Sequence, residues 1–89
     1  MLTATLEIVN RLGLHARAAS RLVSTARVFK SNIRLTHGKS EADAKSIMSV
    51  LLLAAPQGAA LQVTIEGPDA LDALEALRAL IDSRFGEPE

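Results

Sequence analysis

The chain contains no cysteine, no tryptophan and no tyrosine, and only two phenylalanines among 89 residues. Without thiols there is no disulfide framework and no thiolate nucleophile, which agrees with a reducing compartment. Two aromatic rings offer little on which a nucleic-acid base could stack. Ten basic residues balance ten acidic ones, so the basic excess usual in a nucleic-acid binder is also missing. No uninterrupted apolar run approaches membrane-spanning length. The alternating pattern begins at the first residues and leaves no room for a secretory leader. Two histidines without cysteine give no metal-ligand spacing, so neither metal nor cofactor is expected. These absences exclude several classes and predict a cytoplasmic, monomeric protein of one domain, residues 1–89, with no nucleic-acid partner and no membrane insertion.

What is present is an apolar content of 48%, enough for a globular core. The balanced charge also hides an asymmetry. Arg11, Arg17, Arg21, Arg27, Lys30 and Arg34 crowd the first half, whereas most carboxylates lie between Glu66 and Glu89. A basic region in a neutral protein suits an anionic ligand or an acidic partner.

Hydrophobic periodicity divides the chain into seven elements. Thr3–Val9 alternates as a half-buried strand with Ala4, Leu6 and Ile8 on one face. A loop bending at Gly13 leads into a helix from Ala16 to Val28, with Ala19, Leu22, Val23 and Ala26 as its buried stripe. Arg17, Ser20, Arg21, Ser24 and Arg27 fall on its other face, which carries cations and no carboxylates. Asn32–Thr36 and Lys39–Ala44 read as two strands joined by a turn at His37-Gly38. Ser46 is a good helix cap for a short, almost wholly apolar helix stopped by Pro56 and Gly58. Val50 and Leu53 face the core there, leaving Met48 with Leu51 or Leu52 partly exposed as a docking surface. Ala60–Glu66 is the fourth strand. The last helix opens at Gly67-Pro68-Asp69, runs to about Arg84 on a stripe of Leu74, Leu77 and Ile81 with Leu71 and Leu80 in support, and leaves Gly86–Glu89 as a frayed tail. The order β-α-β-β-α-β-α with alternating strands predicts an α+β open-faced sandwich: a four-stranded antiparallel sheet covered on one face by three helices.

The stretch Gly13-Leu14-His15-Ala16-Arg17 sets a histidine at a helix start, where unpaired N–H groups and a partial positive charge favour anions. On residue types alone His15 is either a phosphoryl acceptor or a polar residue capping the helix.

Gly-Leu-His-Ala-Arg-x-Ala at the first helix start, Lys-Ser-Ile-Met at the second, and this element order resemble the HPr family across essentially the whole chain. These are the histidine phosphocarriers of the bacterial phosphoenolpyruvate-dependent sugar phosphotransferase system. The resemblance implies that His15 accepts a phosphoryl group on Nδ1 from enzyme I and passes it to enzyme IIA domains, as a relay intermediate and not a free-standing enzyme. It implies that the Ala16 and Arg17 N–H groups and the Arg17 guanidinium stabilise that phosphate. The helix start and Arg17 both disfavour a charged imidazole, which keeps the nucleophile neutral. Ser46 resembles the regulatory serine phosphorylated by HPr kinase in part of the family, where a phosphate at the helix start would repel acidic enzyme I. Ile47, Met48 and Leu51, with Arg21 and Arg27, would then form the partner-binding surface. A nitrogen-type regulatory paralogue and a non-transferring co-regulator acting through the Ser46 helix are the alternatives, and retention of both His15 and Arg17 argues against the second. One position departs from the family: Ala18 stands where a proline usually follows the motif arginine, which keeps the helix and adds an N–H.

Overall fold

The computed structural model describes residues 1–89. Strand β1 (Leu2–Glu7) leads to helix α1 (Ala16–Ala26). The hairpin β2 (Asn32–His37) and β3 (Ser40–Asp43) follows, then α2 (Ile47–Leu52), β4 (Ala60–Glu66) and α3 (Ala70–Asp82). A single 3-10 turn, Arg84–Gly86, comes after α3. The four strands form one antiparallel sheet in the order β1-β4-β2-β3. β4, the last strand in the chain, inserts between the first two, so the α1 crossover from β1 to β2 skips one sheet position.

Register follows the side-chain alternation. Leu6 opposes Leu61 and Ala4 opposes Val63 across β1 and β4, while Ile33 opposes Ile65 and Leu35 opposes Val63 across β2 and β4. These side chains share one face, and a one-residue slip would turn the whole set to water. Helices α1 and α3 close that face. Ala18, Ala19, Leu22, Val23 and Ala26 of α1 and Ala73, Leu74, Leu77 and Ile81 of α3 are buried. The other face of the sheet, with Thr3, Thr5, Gln62 and Arg34, is exposed. The expected fold class is therefore the observed one.

Several local expectations change. Helix α1 ends at Ala26, not Val28, whose side chain is exposed. His37 is the last residue of β2, pairing with Ser40, so the turn is Gly38-Lys39; its ring Nδ1 lies 3.0 Å from the Leu53 carbonyl at the end of α2. Helix α2 closes before Pro56 is reached, because Ala54 takes a left-handed conformation (φ 50°) directly after its cap. Leu71 does not support the α3 stripe: it is 60% exposed. Asp69 caps no N–H of its own helix. Its carboxylate instead accepts from the Lys30 N–H (2.8 Å), the Ser31 N–H (2.9 Å) and the Ser31 hydroxyl (2.5 Å), tying the start of α3 to the entry of β2. These bonds, led by the Ser31 hydroxyl, hold the Asp69 carboxyl at about 2.

The C-terminal segment departs furthest from the expected frayed tail. Phe85 is fully buried in the common core, and the residues after it are not frayed. Arg84 and Phe85 both have left-handed backbones (φ 59° and 55°), which reverse the chain after α3 and return it towards the start of α1.

Candidate functional site

The site is assembled by the loop that leaves β1. Gly13 has φ +67°, and a Cβ there would stand 2.5 Å from the Ala55 carbonyl oxygen, so only glycine lets this loop lie against the segment that follows α2. The contact is fixed by the Leu14 N–H, which donates to that same carbonyl at 2.9 Å. Pinned there, the chain enters α1 with His15 as the cap residue in extended conformation (φ −75°, ψ 179°). The His15 Nδ1 accepts the Arg17 N–H at 3.3 Å. A nitrogen that accepts carries a lone pair, and this one lies over the open end of the helix, where the Ala16 N–H has no backbone acceptor.

The opposite edge of the ring meets the returning terminus. Glu87 Oε2 contacts His15 Nε2, and Glu87 Oε1 accepts from the Asn10 side-chain amide at 2.9 Å. The second amide hydrogen of Asn10 goes to the Gly13 carbonyl at 2.8 Å. The Glu87 side chain is only 8% exposed and that of His15 26%. The Asn10 amide is the main reason the Glu87 carboxyl lies below its ordinary range; partial burial opposes this, and His15 and Arg17 add to it. Beyond Glu87 the chain is held by the Arg11 N–H on the Glu89 carbonyl (3.1 Å) and by the Arg11 guanidinium on the Glu89 side chain (2.8 Å).

The two arginines of α1 and Arg27, the residue that caps its end, differ. The Arg17 guanidinium forms no ion pair and no hydrogen bond, and it borders a hollow of about 180 Å³ together with Arg11, Leu12, Glu87, Pro88 and Glu89. Arg21 donates to the Phe85 carbonyl, and Arg27 donates from Nε to the Lys45 carbonyl at 3.1 Å. All three are exposed, but only Arg17 is free of an internal partner.

The second predicted region lies at the start of α2. Ser46 Oγ accepts the Ser49 N–H at 3.4 Å and lies 3.1 Å from the Ser49 hydroxyl. Val50 and Leu53 are buried as expected. Ile47 and Met48 are exposed, Leu51 is half-buried against the core, and the most open side chain of the helix is Leu52 at 76% exposure. Helices α1 and α2 pack against each other, so both regions share one side of the molecule. Ala18 is fully buried and α1 runs unbroken through it, so alanine in the usual proline position leaves the helix entry intact.

Residue patterning brought His15, Arg17 and Ser46 to their places but missed Asn10, Phe85 and Glu87. The one signal for the missed set was Phe85 itself, a large apolar residue beyond the end of the α3 stripe.

Comparison with known proteins agrees with this architecture. The family described as "PTS HPr component phosphorylation site" matches residues 2–83. The phosphocarrier protein HPr of Cupriavidus necator is 45% identical over the full length of both chains. The multiphosphoryl transfer protein of Vibrio cholerae is 44% identical over 96% of this chain, which corresponds to 22% of that longer protein. A crystal structure of HPr from Thermoanaerobacter tengcongensis superposes with a TM-score of 0.95 at 42% identity, each chain fully covered. With the fold, the helix-start histidine and full-length relatives in agreement, the chain belongs to the HPr family of phosphotransferase-system phosphocarriers.

Proposed function

We propose that His15 is the residue that carries the phosphoryl group, receiving it on Nδ1 from a phosphohistidine of enzyme I, charged originally by phosphoenolpyruvate, and passing it to enzyme IIA domains for sugar uptake. The observation that carries this reading is the His15 ring itself, whose Nδ1 lone pair lies over the N-terminus of α1 beside an unpaired arginine. In-line transfer forms the Nδ1–P bond as the donor's N–P bond breaks, and the bonding pair returns to the donor nitrogen. The Ala16 and Arg17 N–H groups and the Arg17 guanidinium receive the phosphoryl oxygens. One arginine at an exposed site holds the group weakly enough to release it again.

Docking is supported by the side of the molecule that α1 and α2 share. Ile47, Met48, Leu51 and the exposed Leu52 supply apolar contact, and Arg17, Arg21 and Arg27 supply charge for acidic partners. A phosphate placed on Ser46 by HPr kinase would set a dianion at the edge of this surface and repel enzyme I. The whole of residues 1–89 acts as one cytoplasmic, monomeric domain in this reading. Incubation with phosphoenolpyruvate and enzyme I, followed by intact mass measurement, tests it. An acid-labile, phosphoryl-sized gain that is lost in His15→Ala is the expected result; no gain with an active enzyme I overturns it.

A further inference from the structure

Phosphoryl acceptance uses one nitrogen of His15 and gives the returning terminus no task. We propose that Glu87 is a positioning residue for His15: clamped by Asn10, its carboxylate takes the Nε2 hydrogen and so holds the ring with the Nδ1 lone pair turned to the start of α1. This inference rests on the reading of His15 as acceptor.

The two edges of the ring give the same answer independently. A carboxylate is an acceptor only, so the nitrogen it contacts must carry the hydrogen. A neutral imidazole has a single N–H, which leaves Nδ1 bare, and Nδ1 is the nitrogen that accepts the Arg17 N–H. The carboxylate cannot turn away, because its other oxygen is held by an asparagine that is fully buried and anchored to the Gly13 carbonyl. Asn10 and Gly13 belong to the same loop that delivers His15, so ring and carboxylate are referenced to one piece of backbone. The Asn10 amide, which holds the Glu87 carboxyl below its ordinary range, favours its ionised, accepting form.

The terminus is built to bring the carboxylate there. Phe85 is buried, its carbonyl is held by Arg21, and two consecutive non-glycine residues accept left-handed backbones to turn the chain back. Packing alone requires only Phe85. The residues beyond it add a nearly buried carboxylate, which is costly to bury without a specific partner.

The arrangement also balances charge during transfer. When Nδ1 bonds phosphorus and Nε2 keeps its hydrogen, no proton leaves and the ring becomes positive. Glu87 lies against that charge on one edge while the unpaired Arg17 faces the phosphoryl oxygens on the other. No other charged group competes at the ring: Arg11 and Glu89 pair with each other, Arg21 is held by the Phe85 carbonyl, and α2 and the Ala54–Gly58 segment carry no charge.

The test compares the full chain with Glu87→Gln, using Glu75→Gln on the exposed face of α3 as the control for charge alone. Nitrogen-15 spectra of His15 in the wild type should show hydrogen on Nε2 with a strongly downfield proton, and Glu87→Gln should lose the downfield shift. Phosphoryl transfer from enzyme I should fall about tenfold or more in Glu87→Gln, as expected when a reacting group is no longer held in line. A merely structural role would leave the Nε2 proton shift in place. Hydrogen on Nδ1 in the wild type overturns the proposal. So does transfer by Glu87→Gln within about twofold of the wild type, since a positioning role is worth more than that. If the wild type accepts no phosphoryl group, the acceptor reading fails and the role with it, even with Nε2–H on Glu87; if the wild type accepts it and Glu87→Gln is unaffected, only the positioning role fails.

Discussion

Helices α1 and α2 lie side by side and both start on a capping side chain, yet the two starts are built differently. Ser46 is closed within its own first turn, since its only side-chain partners are the N–H and hydroxyl of Ser49. His15 is closed from a distance: one edge touches Arg17, and the other touches Glu87, 72 residues away. The Ser46 side chain bonds no ionised group and the helix opens onto Met48 and Leu52, 67% and 76% exposed. The His15 end carries an arginine, a nearly buried carboxylate and a buried asparagine. A local cap makes a helix start that tolerates contact with many surfaces. A cap assembled from three segments makes a ring whose orientation is set before any partner arrives.

Removing the anchor of the long-range cap is the most severe way to break this contrast. Phe85→Ala should cost about 3–5 kcal/mol in urea unfolding, the usual effect of emptying a fully buried aromatic site. It should slow phosphoryl acceptance, while hydrogen exchange at the Ser49 amide stays as in the wild type. Next in size, Arg17→Ala should lower transfer about a hundredfold, comparable to removing one oxyanion donor, with an unchanged unfolding midpoint. Normal transfer in that variant would take Arg17 out of the reaction.

The start of α3 is a third kind of helix start, tied to the entry of β2 by a carboxylate and so sensitive to pH. The Asp69 carboxyl is lowered from 3.8 to about 2. The stability it contributes is complete above the ordinary carboxylate value and is lost as pH falls from about 4 towards 2. Asp69→Asn should flatten that part of the acid unfolding curve and leave the neutral-pH rate of transfer unaltered. An identical acid limb in both proteins would show that this helix start draws nothing from its bonds to Lys30 and Ser31. Smallest of the four, Ser46→Ala should cost about 1 kcal/mol, the ordinary worth of a serine cap, and leave the His15 spectra untouched.

What could be read from the sequence divides along the same line. The strands β1, β2 and β4 were legible because their apolar residues alternate over six or seven positions. Ser46 and His15 were legible because a cap and the helix it starts are adjacent in sequence. Asn10 looked like an ordinary loop residue, and Glu87 looked like one acidic residue in a polar end. Their meaning comes from a backbone reversal at Arg84 and Phe85, two residue types that give no warning of a positive φ. Leu71 misled for the opposite reason: it has the right residue type near the stripe, but α3 rotates it towards water.

The reversal after α3 also bears on how the protein is handled. Whatever is joined beyond Glu89 departs from the neighbourhood of Arg11, beside the hollow that Arg17 and Glu87 border. Met1 lies at the far end of β1, about 20 Å away by the rise of a six-residue strand. A purification tag or fluorophore on the C-terminal side would pull on the segment that orients the imidazole, and the same label on the N-terminal side would not. Kinetic constants measured on differently tagged preparations should therefore disagree for a mechanical reason.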